Sequence, residues 1–109
     1  MGKINLLVKY CLRNEKVEYN IKGISRDNKF KFKDFDNIMI LDLKYNTLER
    51  INNYRKIKFD FYNKLCFIEE DNYKLSFVIK VLKLINKDNN FYVKYKIEND
   101  FYEIDIKLI

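Results

Sequence analysis

Apolar and polar residues alternate with a period of two along most of this chain. Ile4, Leu6, Val8, Tyr10 and Leu12 share one face of the first run, and Val17, Tyr19 and Ile21 oppose Glu18, Asn20 and Lys22 in the second. Phe30 and Phe32 alternate with Lys29, Lys31 and Lys33, and Ile57, Phe59 and Phe61 with Lys56, Lys58 and Asp60. Near the end, Phe91, Val93, Tyr95 and Ile97 form one apolar row, and Ile104, Ile106 and Leu108 another. Strict alternation places one face of each strand on a core and the other in water. Between the runs stand clusters rich in Asn and Asp, such as Arg13-Asn14-Glu15, Arg26-Asp27-Asn28, Asp34 to Asn37 and Asn86 to Asn90. These residues tolerate left-handed backbone and bond to their own main chain, so they make turns where glycine is missing.

Two stretches depart from the simple pattern. Leu43 to Ile51 also fits a short helix. In the long run from Tyr73 to Ile85, the apolar residues are odd-numbered through Val81 and even-numbered at Leu82 and Leu84. A change of face inside one strand is what a β-bulge produces, so a bulge or sharp bend is expected at Val81 and Leu82. Such kinks let a sheet curl and close. Eight to ten strands joined by hairpin-length loops are predicted. The fold class is all-β, an antiparallel meander forming a closed or nearly closed barrel, with residues 1–109 as a single domain. A barrel of this size has an interior that side chains fill or that holds one small ligand.

Composition supports the strand reading and narrows the setting. Aromatic residues make up 17% of the 109 residues, nine Tyr and nine Phe, and such side chains suit a pleated, half-buried surface. Proline is absent and Gly2 and Gly23 are the only glycines, so no linker divides the chain. The apolar stretch Ile4 to Val8 is too short for a signal-peptide core, and no run approaches the ~20 residues of a membrane span. A cytoplasmic protein without a membrane partner is expected, with Cys11 and Cys66 as free thiols.

The net charge is +6, and the excess is uneven: residues 1–55 hold twelve Lys/Arg against seven Asp/Glu, residues 56–109 ten against nine. Lys22, Lys29, Lys31 and Lys33 are predicted to share one outer face, a candidate surface for RNA or another polyanion. Single-strand binders add exposed stacking aromatics to such a surface. Here Phe30 and Phe32 face away from the lysines, and the outward candidates Tyr62 and Tyr92 lie far along the chain. The abundance of Lys, Asn, Ile, Tyr and Phe, all with AT-rich codons, offers a duller source for the lysine surplus.

The segment NYKLSFVIKVLK, Asn72 to Lys83, and the ending FYVKYKIENDFYEIDIKL resemble the second half of the YwiB-like family, small bacterial lipocalin-like (calycin-type) barrels of unknown function. The stretch LERINNYRKIKFDF, Leu48 to Phe61, is similar to that family's arginine-containing central strand and the strand after it. The likeness runs from about Ile21 onward. Where the family pattern carries glycines, Asn52-Asn53 and Asn72 stand here as turn-compatible substitutes. The resemblance implies a ten-strand-like closed barrel and no established activity.

The residue inventory argues against catalysis. Histidine is absent, which removes Ser-His-Asp and Cys-His activation and the commonest zinc sites. Two cysteines are too few for a thiolate metal site, no Gly-rich loop exists to cradle phosphate, and Glu69-Glu70-Asp71 reads as an exposed acidic turn. No catalytic residue, metal or cofactor is assigned. A non-enzymatic binding protein for a small amphipathic or anionic ligand or a protein partner is expected, with Arg50, Asp42 and Tyr95 as the interior candidates.

Arg50 alternates with Leu48 and so shares its face. A two-residue turn at Tyr45-Asn46 sets Leu41 opposite Arg50, and a turn one residue later sets Leu43 there. Both place the guanidinium on the Met39, Leu41 and Leu43 face. A three-residue loop instead pairs Asp42 with Arg50. The resemblance also implies an arginine at this point. Buried, its five donors need carboxylate, carbonyl or tyrosine partners, and the same group is a natural anchor for an anionic ligand head.

Overall fold

The computed structural model describes residues 2–109, and every regular element in it is a strand. In chain order these are β1 (Gly2–Leu12), β2 (Glu15–Arg26), β3 (Lys29–Asp34), β4 (Asn37–Asp42), β5 (Thr47–Ile51) and β6 (Lys56–Asp60). They are followed by β7 (Leu65–Glu70), β8 (Tyr73–Val78), β9 (Lys80–Lys87), β10 (Asn90–Ile97) and β11 (Asp100–Leu108). All belong to one antiparallel sheet in the order β8-β7-β6-β5-β4-β3-β2-β1-β11-β10-β9. Strands β8 and β9 stand at opposite ends of that order yet are separated in the chain by Ile79 alone. One bent strand therefore serves both ends of the sheet, its first half bonded to β7 and its second to β10. The sheet curls into a nearly closed barrel with one unsealed seam, between β8 and β9.

Eleven strands exceed the expected eight to ten, and both departures have local causes. The Tyr73 to Ile85 run is split at Ile79, whose N–H leaves the ladder and donates to the Lys64 carbonyl at 3.0 Å. Leu43 to Ile51 is no helix: Asn46 takes a positive φ of 57° and ends a four-residue turn before β5. The bulge lies where the phase change put it. Lys94 pairs with Lys83 and Tyr95 with Val81, which leaves Leu82 as the extra residue. The turns are likewise built on left-handed backbone at Arg13 and Asn14, Asp27 and Asn28, and Asp88 and Asn89.

The inward rows pack as the alternation requires, with Leu6, Val8, Phe30, Phe32, Phe91, Val93 and Ile106 all buried. One end of the barrel is plugged. Phe61 is buried there against Phe59, Phe91 and Tyr95, with ring centroids 5.3 to 5.9 Å apart. Its N–H donates to the Asn46 carbonyl at 3.0 Å, and Asn86 on β9 donates to the Leu43 carbonyl and Asn46 Oδ1 at 2.6 and 2.8 Å. The other end carries the β1–β2, β3–β4, β5–β6, β7–β8 and β10–β11 turns, and there the wall is incomplete. β2 pairs with β3 only from Arg26–Lys29 to Gly23–Phe32, so Glu15 to Lys22 bond to β1 alone. Beyond the Gly23–Phe32 pair the β2–β3 ladder stops, which leaves a gap in the hydrogen-bonded wall.

Candidate functional site

The upper half of the barrel encloses a cavity of about 310 Å³. Its lining is chiefly apolar and aromatic, from β1, β2, the β3–β8 meander, β10 and β11. Its polar lining residues are Tyr10, Tyr19, Asp34, Arg50, Tyr95 and Tyr102. Concave, mostly apolar spaces of at least about 300 Å³ with few polar groups are the usual form of small-ligand sites.

Arg50 reaches this cavity by strand parity. It pairs with Met39, while Leu41 pairs with Leu48 and Asp42 with Thr47. The β4–β5 connection is four residues, longer than the two- and three-residue turns considered. It preserves the parity of the two-residue turn, so Arg50 lies on the expected face. Burial of the guanidinium is not observed. Arg50 is exposed at the cavity mouth, and among the described residues it makes no hydrogen bond or ion pair. The buried arginine with carboxylate, carbonyl or tyrosine partners expected from the sequence is thus not found, because the residue lies exposed at the mouth.

Asp42 is not brought to the cavity. It lies on the opposite face of β4 and works for the turn: one carboxylate oxygen accepts from the Lys44 and Tyr45 N–H groups at 2.9 and 3.4 Å. The other stands 4.0 Å from Lys29 Nζ. An Asx cap of this kind stabilises the four-residue turn that the register expectations left out.

Tyr95 lies in the cavity wall, 3% exposed, stacked on Tyr102 at 5.2 Å and tilted against Phe59 at 5.5 Å. Burial raises its phenol pKa, and the nearby Arg50 opposes the rise. Cys66 also lines the cavity, and burial pushes its thiol up to about 11, so it stays protonated at neutral pH.

Two further polar groups belong to the site. Asp34 continues the inward row of Phe30 and Phe32 and is only 8% exposed. Tyr19 stands across the gap on β2, and its hydroxyl is buried without a hydrogen-bond partner. Desolvation chiefly raises the Tyr19 pKa, helped by the Asp34 carboxylate, which acts through its charge and through a hydrogen bond too long and weak to satisfy either group, and by Tyr10, and opposed by Arg50. Alternation already placed Tyr19 inward. The same alternation, carried one step past Phe32, reaches Asp34, a residue that reads as part of the turn cluster when composition alone is weighed.

The lysines occupy the outer wall. Lys22, Lys29, Lys31 and Lys33 are all exposed. Lys22, Lys31 and Lys33 line a shallow groove of about 630 Å³ with Lys3, over apolar Ile24 and Ile38. Lys3 joins them because β1 pairs it with Ile24, a register legible from the Arg13-Asn14 turn. Lys29 lies on the same face beyond the groove, against Asp42. Neither Tyr62 nor Tyr92 lines it; the Tyr92 hydroxyl donates to Glu103 at 3.0 Å. No protein-family model, no curated protein and no solved structure matches this chain.

Proposed function

We propose that this barrel is a binding protein for a small amphipathic anion, held with its apolar part in the cavity and its head at Arg50. The observation that carries the reading is an unpartnered guanidinium at the mouth of an aromatic-lined cavity of about 310 Å³. An anionic head at the mouth gains charge-assisted hydrogen bonds, while its tail removes apolar surface from water. The likeness to lipocalin-like barrels of the YwiB-like family belongs to the same proposal. Binding rather than catalysis fits a site whose one thiol is held protonated and which has no histidine to activate it.

Titration calorimetry with octanoate and octanol tests this. Octanoate is expected to bind and octanol to bind more weakly. Hydrogen bonds to a charged group are worth roughly 1.5–3 kcal/mol, so Arg50→Met should weaken octanoate at least about tenfold and leave octanol unchanged. Absence of binding by octanoate and by its amino-substituted analogues alike, or octanoate binding indifferent to Arg50→Met, overturns the reading.

A second reading rests on the outer groove, where Lys3, Lys22, Lys31 and Lys33 converge and suit an RNA or other polyanion. Heparin retention that falls steeply with salt and is abolished in a Lys31→Glu/Lys33→Glu variant supports it. Retention unaltered in that variant returns these lysines to an ordinary solvated surface.

A further inference from the structure

The cavity holds a second charge that an anion alone does not explain. Asp34 is almost enclosed, yet its carboxylate has no hydrogen bond or ion pair among the described residues. Only its backbone carbonyl is engaged, accepting from Asn37 Nδ2 at 3.3 Å. Arg50 lines the same cavity but does not come within the 4.0 Å of an ion pair. The Tyr19 hydroxyl beside Asp34 is buried without a hydrogen-bond partner, whereas the Asp34 carboxylate oxygens keep some access to solvent. Asp34 raises and Arg50 lowers the pKa of both Tyr10 and Tyr19, so the two opposite fields meet at the same phenols. Of the three buried side-chain atoms without a partner among the described residues, only the Tyr19 hydroxyl lines this cavity, so an acid, a base and an orphaned hydroxyl face one ligand-sized space.

Resting on the cavity reading above, we propose that the ligand is zwitterionic, with its anionic group at Arg50 and a protonated amine received by Asp34 and the Tyr19 hydroxyl. A ligand with only an anionic head leaves Asp34 unpaired and is repelled by it as the head approaches. An amine turns that repulsion into a charge-assisted hydrogen bond. The pair therefore selects apolar amino acids over simple fatty acids, attraction and repulsion acting together.

Four probes of one chain length separate the possibilities: octanoate, octylamine, 2-aminooctanoate and 8-aminooctanoate, measured by calorimetry at pH 7. At least one amino acid is expected to bind ten times more tightly than both octanoate and octylamine. Asp34→Asn should erase that margin while octanoate binds as well as before or better. Octanoate as the tightest probe on the unaltered protein overturns the zwitterion and leaves the anion reading standing. Failure of all four probes overturns both. The ranking on the unaltered protein decides the matter even if the variant misfolds, and a margin that survives in a folded Asp34→Asn variant also refutes the assignment.

Discussion

At Gly23 the backbones of β2 and β3 approach so closely that a Cβ atom would lie 2.7 Å from the Lys31 carbonyl oxygen and 3.3 Å from Phe32 Cβ. The obstacle on one side is main chain, which cannot rotate away. Gly23→Ala is therefore expected to destabilise the fold by about 1–3 kcal/mol, as overpacking of a close contact does. Gly2, where an added Cβ meets nothing within 4 Å, is the control; Gly2→Ala should stay within about 0.5 kcal/mol. Chemical denaturation of the two variants checks the contrast, and equal midpoints refute it. Left-handed backbone is spread more widely than Asn and Asp alone suggest, since Phe35, Lys64 and Glu98 also adopt positive φ. Phe35 does so while 80% exposed, a costly conformation for a bulky side chain with no burial to offset it. It sits next to Asp34, at the tip of the hairpin that borders the gap.

At the scale of elements, the bulge in β9 assigns neighbouring leucines to opposite sides of the wall. Leu84 pairs with inward Val93 and packs on the core, whereas Leu82 has no partner across the ladder and is 41% exposed. Leu84→Ala should cost about 1–2 kcal/mol, less than the ~2–5 of a fully buried leucine. Leu82→Ala should cost no more than about 0.5 kcal/mol. Thermal melts of both variants test this, and a larger loss at Leu82 contradicts the register. The bulge was legible because side-chain phase is written directly in the order of residues. The β4–β5 loop was not. Its length is set by bonds that Asp42, Asn46 and Asn86 make across and beyond the hairpin, and the Asn86 partners lie forty or more positions away.

The whole molecule has a pH dependence that follows from its burial pattern. Burial lifts the Cys66 thiol from an ordinary 9.0 to about 11, and burial with the Glu103 hydrogen bond lifts the Tyr92 phenol from 10.0 to about 12. Both groups are neutral when protonated, and folding favours that form. Their contribution is complete below about pH 9 and is lost as the pH rises through 11 and 12, because the unfolded chain releases these protons first. With no histidine, the region from about pH 6 to 8 should be flat. A melting-temperature profile should show that plateau and then decline above about pH 9, with Cys66→Val reducing the slope between 9 and 11. A profile that keeps rising above pH 9 is the contrary result.

Strand identity, inward and outward faces, the turn sites and the bulge in β9 are properties of local order, since a period of two and the turn chemistry of Asn and Asp act over a few residues. They specify a meander and the basic outer row almost unaided. Alternation tied Arg50 to the face of Leu48, but the even length of the β4–β5 loop, which an odd loop would have reversed, was decided by tertiary structure. Tertiary structure alone decided how deep each inward residue sits. Arg50, Asp34 and Phe61 all lie on inward rows, yet one is at an open mouth, one beside a gap and one in a sealed plug. Depth depends on where β2 parts from β3 and on how β8 and β9 reach opposite edges of the sheet. Those are distances between segments far apart in the chain, and a one-dimensional pattern carries no measure of them.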